Sequence, residues 1–265
     1  MRQAKLYAVV LALPVALACE PKKDLLSEVL GDASPAAAPP APSFSPPAKT
    51  AATTAPKRAR PDCAPGPGTV EFYDKNLEKE VRRKLQKPDG AIAKSNLAAV
   101  RSLNLAGMGV TNELDPCLMP LFTGLHALFF GPGDVDDLLP ITNLTTLESL
   151  RAAPSKVSDL RPIEGLVHLD VLDLSHSNVT DIKSLAHLTN ITELQLDEDA
   201  ISDLTPLKGC TKLEMLSIKK TMVHDLSPLS GLKKLKKLYI ADAPIDSTAP
   251  IQALVASGLK LFTTE

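Results

Sequence analysis

The sequence predicts an α/β solenoid of the leucine-rich repeat class, and three observations carry that reading. The first is a 22-residue period between about Leu147 and Leu254, visible in 169–190, 191–212 and 213–234. The second is what fills the period. Repeat position one holds Leu169, Ile191, Leu213 and Leu235, position four Leu172, Leu194, Leu216 and Leu238, and position six Leu174, Leu196, Ile218 and Ile240. LxxLxL at a fixed period marks one short strand per coil, stacked so that neighbouring coils bury a continuous core. The third is composition: no Trp and only six Phe and three Tyr in 265 residues. Coil-on-coil packing of aliphatic side chains does not need large aromatics. The expected architecture is a curved parallel sheet of about seven coils, with 3₁₀ or short-helix turns on the convex side and an N-terminal helical cap. Net charge is −2, so no global basic field attracts nucleic acid.

Residues 1–18 read as a signal peptide. Arg2 and Lys5 are basic, Leu6 to Leu17 is an apolar run too short to span a bilayer, and Ala16-Leu17-Ala18 gives small residues near a cleavage point. Residues 19–62 read as an anchored tether. Within 34–62 there are eight prolines and almost no large apolar side chain, a composition that cannot bury enough surface to fold. At ~3.1 Å per residue this arm reaches up to ~90 Å. Lys57, Arg58 and Arg60 form a small basic cluster, read either as a solvated linker or as a contact for an anionic surface.

Residues 63–99 are expected to form the cap. Leu77, Val81 and Leu85 share one helix face, Asp74 caps the start, and Pro88 with Gly90 ends the helix. Seven repeats follow in 100–256, the first with a three-residue insertion around Asp115-Pro116-Cys117. A closing strand is expected in 257–265. Cys63 and Cys117 flank the cap, and an oxidising compartment permits them to pair; the alternative is two buried thiols. Cys210 falls in phase with Leu188 and Leu232 and reads as a core residue.

Position thirteen is Asp137, Asp159, Asp181, Asp203 and Asp225, with Pro140, Pro162, Pro206 and Pro228 three residues on. A short carboxylate there is expected to accept turn N–H groups rather than to form a metal array. Positions three, five, seven and eight are expected to line the concave face. The candidate partner-binding residues are Asp173, His176, Glu193, Gln195, Asp197, Glu214, Met215, Lys219, Lys237 and Tyr239. They run from an acidic middle to a basic C-terminal stretch, and complementary charge steers and registers a protein partner. The simpler account is a solvated strand face. Tyr239 is the aromatic expected on that face, with Phe130 pointing inward, which favours protein over glycan as the ligand. The five histidines fall at different repeat phases, and no Ser-His-Asp set, phosphate loop or HExxH occurs. No enzymatic activity, cofactor or metal is expected, and a monomer is.

Two resemblances add to this. Val15-Ala16-Leu17-Ala18-Cys19 resembles the lipobox of bacterial lipoproteins, which implies cleavage before Cys19 and acylation of its sulfur. Ala16 departs from the leucine preferred at that place, and ordinary secretion after the same bond is the alternative. Glu20, where an aspartate would imply retention at the inner membrane, favours the outer membrane within the bacterial envelope. The run FYDKNLEKEVRRKLQKPDGAIAKSNLAAVRSLNLAGMGV resembles the cap and first repeat of internalin-like bacterial leucine-rich repeat proteins. That likeness spans about residues 70–256 and implies a protein-binding solenoid, with a structural or adhesive envelope role contacting wall or surface glycan as the alternative. It also implies Asn at position nine in a buried ladder. Here that position holds Gly133, Ser155, Ser177, Asp199, Thr221 and Ala243, so only a partial ladder is expected.

Overall fold

The computed structural model describes residues 63, 68–106 and 113–264. The expected signal peptide, Cys19 and the tether lie outside these residues.

The cap helix α1 spans Lys75–Leu85. The Asp74 carboxylate accepts the N–H groups of Asn76 (2.7 Å) and Leu77 (3.3 Å), satisfying donors that the first helical turn leaves open. Leu77 and Val81 are buried and Leu85 is half-buried, as the four-residue spacing predicts. The chain turns out of the helix at Gln86, whose φ of 53° is left-handed, before Pro88 and Gly90. A short helix α2, Lys94–Leu97, buries Leu97 and leads into the sheet.

Eight parallel strands follow in strict chain order: β1 Ser102–Asn104, β2 Ala127–Phe130, β3 Ser149–Ala152, β4 Val171–Asp173, β5 Glu193–Gln195, β6 Met215–Ser217, β7 Lys237–Tyr239 and β8 Lys260–Phe262. Ala127 pairs with Ser149 and Val171 with Glu193, a step of 22 residues. Ser102 pairs with Ala127, a step of 25, which is the three-residue insertion of the first coil. Lys237 pairs with Lys260, a step of 23. The middle residue of β1 to β7 is always Leu, from Leu103 to Leu238, and every one is fully buried. Side chains alternate across a strand, so the residues either side of that Leu face out.

From the second coil on, the convex side is built from 3₁₀ turns at Leu139–Ile141, Arg161–Ile163, Lys183–His187, Thr205–Gly209, Ser227–Leu229 and Ala249–Ile251. The position-thirteen aspartates start the first five of these turns. Asp137, Asp159, Asp181, Asp203 and Asp225 each accept the N–H two residues on, at 2.7–3.0 Å. Ser247 does the same for Ala249 in the seventh coil, and Asp115 accepts from Cys117 and Leu118 in the first. A proline such as Pro140 or Pro206 then fits the turn, since its missing N–H and fixed φ cost nothing there. A five-residue helix α3, Gln252–Ala256, covers the last coil through buried Leu254.

One expectation is corrected. The strands hold three or four residues, so position eight is not on the strand face. His176, Glu198, Lys220 and Asp242 have φ of 53–61° and form a left-handed turn on the rim. The N–H of His176 donates to the Asp197 carbonyl at 2.7 Å, and Glu198 and Lys220 repeat the contact with Lys219 and Ala241. In the second and third coils Pro132 and Pro154 occupy this position after cis peptide bonds. Gly131, at φ 114°, is required there, because a Cβ would stand 2.6 Å from the Ala153 carbonyl oxygen.

Candidate functional site

The outward residues at positions three and five form two columns along the concave face. One runs Ala127, Ser149, Val171, Glu193, Met215, Lys237 and Lys260; the other runs Phe129, Arg151, Asp173, Gln195, Ser217, Tyr239 and Phe262. Position seven adds Ser175, Asp197 and Lys219 beside them.

Most of the charge in the middle of this face is spent on neighbouring coils. Asp197 Oδ1 accepts Ser217 Oγ–H at 2.6 Å and the Lys219 N–H at 2.8 Å, and its Oδ2 lies 3.3 Å from Lys219 Nζ. The Asp197 side chain is only 13% exposed, so it is a coil-to-coil fastener rather than an outward charge. Glu193 accepts from Gln195 Nε2 at 2.9 Å and lies 3.9 Å from the Arg151 guanidinium. Asp173 accepts the N–H of Ser175. On the rim, Glu198 joins His176 and Lys220, each at 3.1 Å. Glu214, expected on the concave face, is a second correction: it stands at position two, one residue before β6, and pairs with Lys236 at 2.6 Å. The acid-to-base order of the sequence is therefore largely neutralised where the two signs meet.

The C-terminal corner differs. Lys237 and Lys260 are exposed register partners on adjacent strands, and neither has an ion-pair partner among the described residues. Beside them the rings of Tyr239 and Phe262 stack at 4.3 Å, 12° from parallel. Met215 is half-buried next to Lys237. At the other end of the face the Arg151 guanidinium lies 5.8 Å over the Phe129 ring.

Phe129, Arg151, Lys260 and Phe262 are absent from the set expected from sequence. The repeat frame already contains the signal for the first two, since position five of the second and third coils holds Phe129 and Arg151. Lys260 and Phe262 are hidden by the 23-residue last step, which moves them one place out of phase.

Beneath the face, the position-nine ladder is partial. Asp199 is buried, and its Oδ1 accepts both the N–H (3.0 Å) and the Oγ–H (2.8 Å) of Ser177 in the preceding coil. Asp199 Oδ2 has no hydrogen-bond partner among the described residues. Burial pushes this carboxyl up to about 6, against the pull of the Ser177 hydrogen bonds and of His176. Thr221 Oγ donates to the Ile218 carbonyl, and Ser155 Oγ accepts from the Val157 N–H. Cys210 is fully buried, and burial raises its thiol to about 11, so it is an inert core residue. Cys63 and Cys117 are joined, with Cα atoms 5.3 Å apart.

No protein-family model matches the chain, and no curated protein does. Solved structures are similar to it. Internalin C2 of Listeria monocytogenes is 26% identical with a TM-score of 0.65, over 73% of this chain and 94% of that one. An internalin of the same organism, InlF, is 28% identical with a TM-score of 0.65, over 73% of this chain and 56% of that one. A leucine-rich repeat protein of Leptospira interrogans is 18% identical with a TM-score of 0.52, over 64% and 51% of the two chains, a likeness of fold alone. The architecture is that of an internalin-like leucine-rich repeat solenoid.

Proposed function

We propose that this internalin-like solenoid is the binding head of an envelope lipoprotein, and that it holds a protein partner on its concave face. The observation that carries the reading is the concave face itself. Seven coils present outward side chains in unbroken register, including Arg151, Glu193, Met215, Lys237 and Tyr239. A rigid sheet of this kind offers a preformed surface, which limits the ordering cost of association. Nothing in the sequence supplies a catalytic set, so the role assigned is recognition. The solved relatives support a bacterial recognition module, since the chain matches internalin C2 over nearly the whole of that structure.

The rest of the device is read from sequence. Acylated Cys19 anchors the chain, with the outer membrane favoured, and residues 19–62 hold the head away from the bilayer. Anchoring is tested by Cys19→Ser with metabolic fatty-acid labelling: the label should vanish, and a variant that still labels removes the lipoprotein claim. Binding is tested by placing a benzoylphenylalanine photocrosslinker at Met215, on the concave face, or at Glu164, on the convex turn. A defined protein adduct from Met215 and none from Glu164 is expected. The reverse pattern sinks the concave-face reading.

A further inference from the structure

We infer that the C-terminal corner of the concave face binds an extended peptide segment that carries an acidic residue, an apolar one and an aromatic one in succession, added as a ninth strand beside β8. The inference rests on the concave-face reading and names the partner's chemistry.

Three observations carry it. β8 ends the sheet, and among the described residues no strand pairs with its outer edge. A strand edge presents unpaired N–H and C=O groups that template another strand. The side chains along that edge are Lys260, Leu261 and Phe262, exposed, half-buried and half-buried respectively. Next, Lys260 stands in register with Lys237, and like charges directly opposite each other on one face repel. Arg151, Glu193, Asp197 and Lys219 on this face each have a partner of opposite sign and Asp173 accepts the Ser175 N–H, whereas Lys237 and Lys260 have no ion-pair partner among the described residues. A carboxylate opposite Lys260 on an added strand supplies the missing counter-charge. Finally, Tyr239 already stacks on Phe262, so one face of the Phe262 ring is used and the ring-on-ring column is poised to continue. An aromatic residue two places after the carboxylate continues it, and the apolar residue between them covers Leu261. The order Lys-Leu-aromatic, present in both β7 and β8, thus reads out as acidic-apolar-aromatic in the occupant.

The test uses the full chain and two fluorescein-labelled probes, Thr-Glu-Val-Tyr-Thr and Thr-Lys-Val-Tyr-Thr, followed by polarisation. The wild type should prefer the Glu peptide by about tenfold, the effect expected of exchanging an attractive for a repulsive cross-strand contact at Lys260, with the Lys237 charge one strand behind it. Lys237→Glu with Lys260→Glu should reverse the preference, and the Gln pair should abolish it without reversal. Phe262→Ala should weaken both probes. Equal affinity for the two peptides, or a preference unchanged in the Glu pair, overturns the inference; so does oligogalacturonate displacing the Glu peptide. Dimers joined through β8, seen by light scattering and lost in the Glu pair, place a second copy on this edge and also overturn it. A benzoylphenylalanine at Phe262 separates the two claims. Adducts from Met215 but not from Phe262 leave concave binding standing and remove the corner; none from either position removes both.

Discussion

The two ends of the solenoid solve the same problem differently. At the N-terminal end the apolar face of β1 is closed by α1. Buried Glu80 accepts the Asn104 N–H at 3.2 Å and a two-pronged contact from Arg83 at 2.7 and 2.8 Å, and Lys84 donates to Ser102 at 2.5 Å. The Cys63–Cys117 bond ties the approach to the cap into the first coil. At the C-terminal end α3 and Leu259 close the core, but among the described residues no strand pairs with the outer edge of β8, where Leu261 and Phe262 are half-exposed. One end is sealed by a helix, polar fasteners and a covalent bond. The other is blunted only by being short and carrying Lys260, a common way to protect an edge strand. The sealed end serves stability; the other end is where the function proposed above places a partner.

The largest test of that contrast is the disulfide. Closing a loop with a sequence separation of 54 restricts the unfolded chain, so Cys63→Ala with Cys117→Ala should lower stability by up to about 4 kcal/mol in urea melts. Next, Leu103→Ala under the cap should cost roughly 3 kcal/mol, whereas Leu261→Ala at the open edge should cost under about 1 kcal/mol. Equal costs would show that the C-terminal edge is packed as tightly as the cap. Glu80→Ala should cost about 1–3 kcal/mol, because it leaves the Asn104 N–H without its carboxylate partner at a buried site, while the mostly exposed Arg83 is free to turn to water. Lys260→Ala should be nearly silent in the same melts, within about 0.5 kcal/mol.

Two buried carboxylates give the most selective test, because their pH dependences have opposite signs. The Arg83 guanidinium and the Asn104 N–H hold Glu80 below the ordinary glutamate range. Its contribution is therefore present above the unfolded pKa and lost as pH falls through the folded one. Asp199 is the reverse, raised to about 6 by burial. Between about pH 4 and 6 the folded state binds its proton more readily than the unfolded state, so stability falls as pH rises through that window. Asp199→Asn should remove this fall and raise stability at pH 7 by about 1–3 kcal/mol. A melting series that stays equally steep between pH 4 and 6 in the Asn variant would show that another group carries the titration.

The repeat frame made most of the fold legible in sequence. The Asp74 cap, the inward face of α1, the seven coils, the 3₁₀ turns and the turn-capping role of the position-thirteen aspartates all follow from local spacing. Each depends on hydrogen bonds within two or three residues or on one repeated side-chain direction. The concave face was half legible. The frame located Asp173, Glu193, Gln195, Met215, Lys237 and Tyr239 correctly as outward. It placed His176 on the strand face, whereas the strands end too early and His176 turns on the rim. Nor did it reveal that Asp197 and Lys219 neutralise each other, because residues 22 apart in sequence meet only once the coils stack.

The sequence by itself determined the architecture, because a 22-residue apolar period has one compact solution: coils stacked with their leucines inward. It also determined which residues are free of the core. Tertiary structure decided which of those residues remain available to a partner. Stacking sets side chains one coil apart about 4.8 Å from each other, close enough for Asp197 to consume Lys219 and for Glu214 to consume Lys236. At the last coil Lys237 and Lys260 have no ion-pair partner, and the Tyr239–Phe262 pair borders a strand edge that no other strand covers, among the described residues.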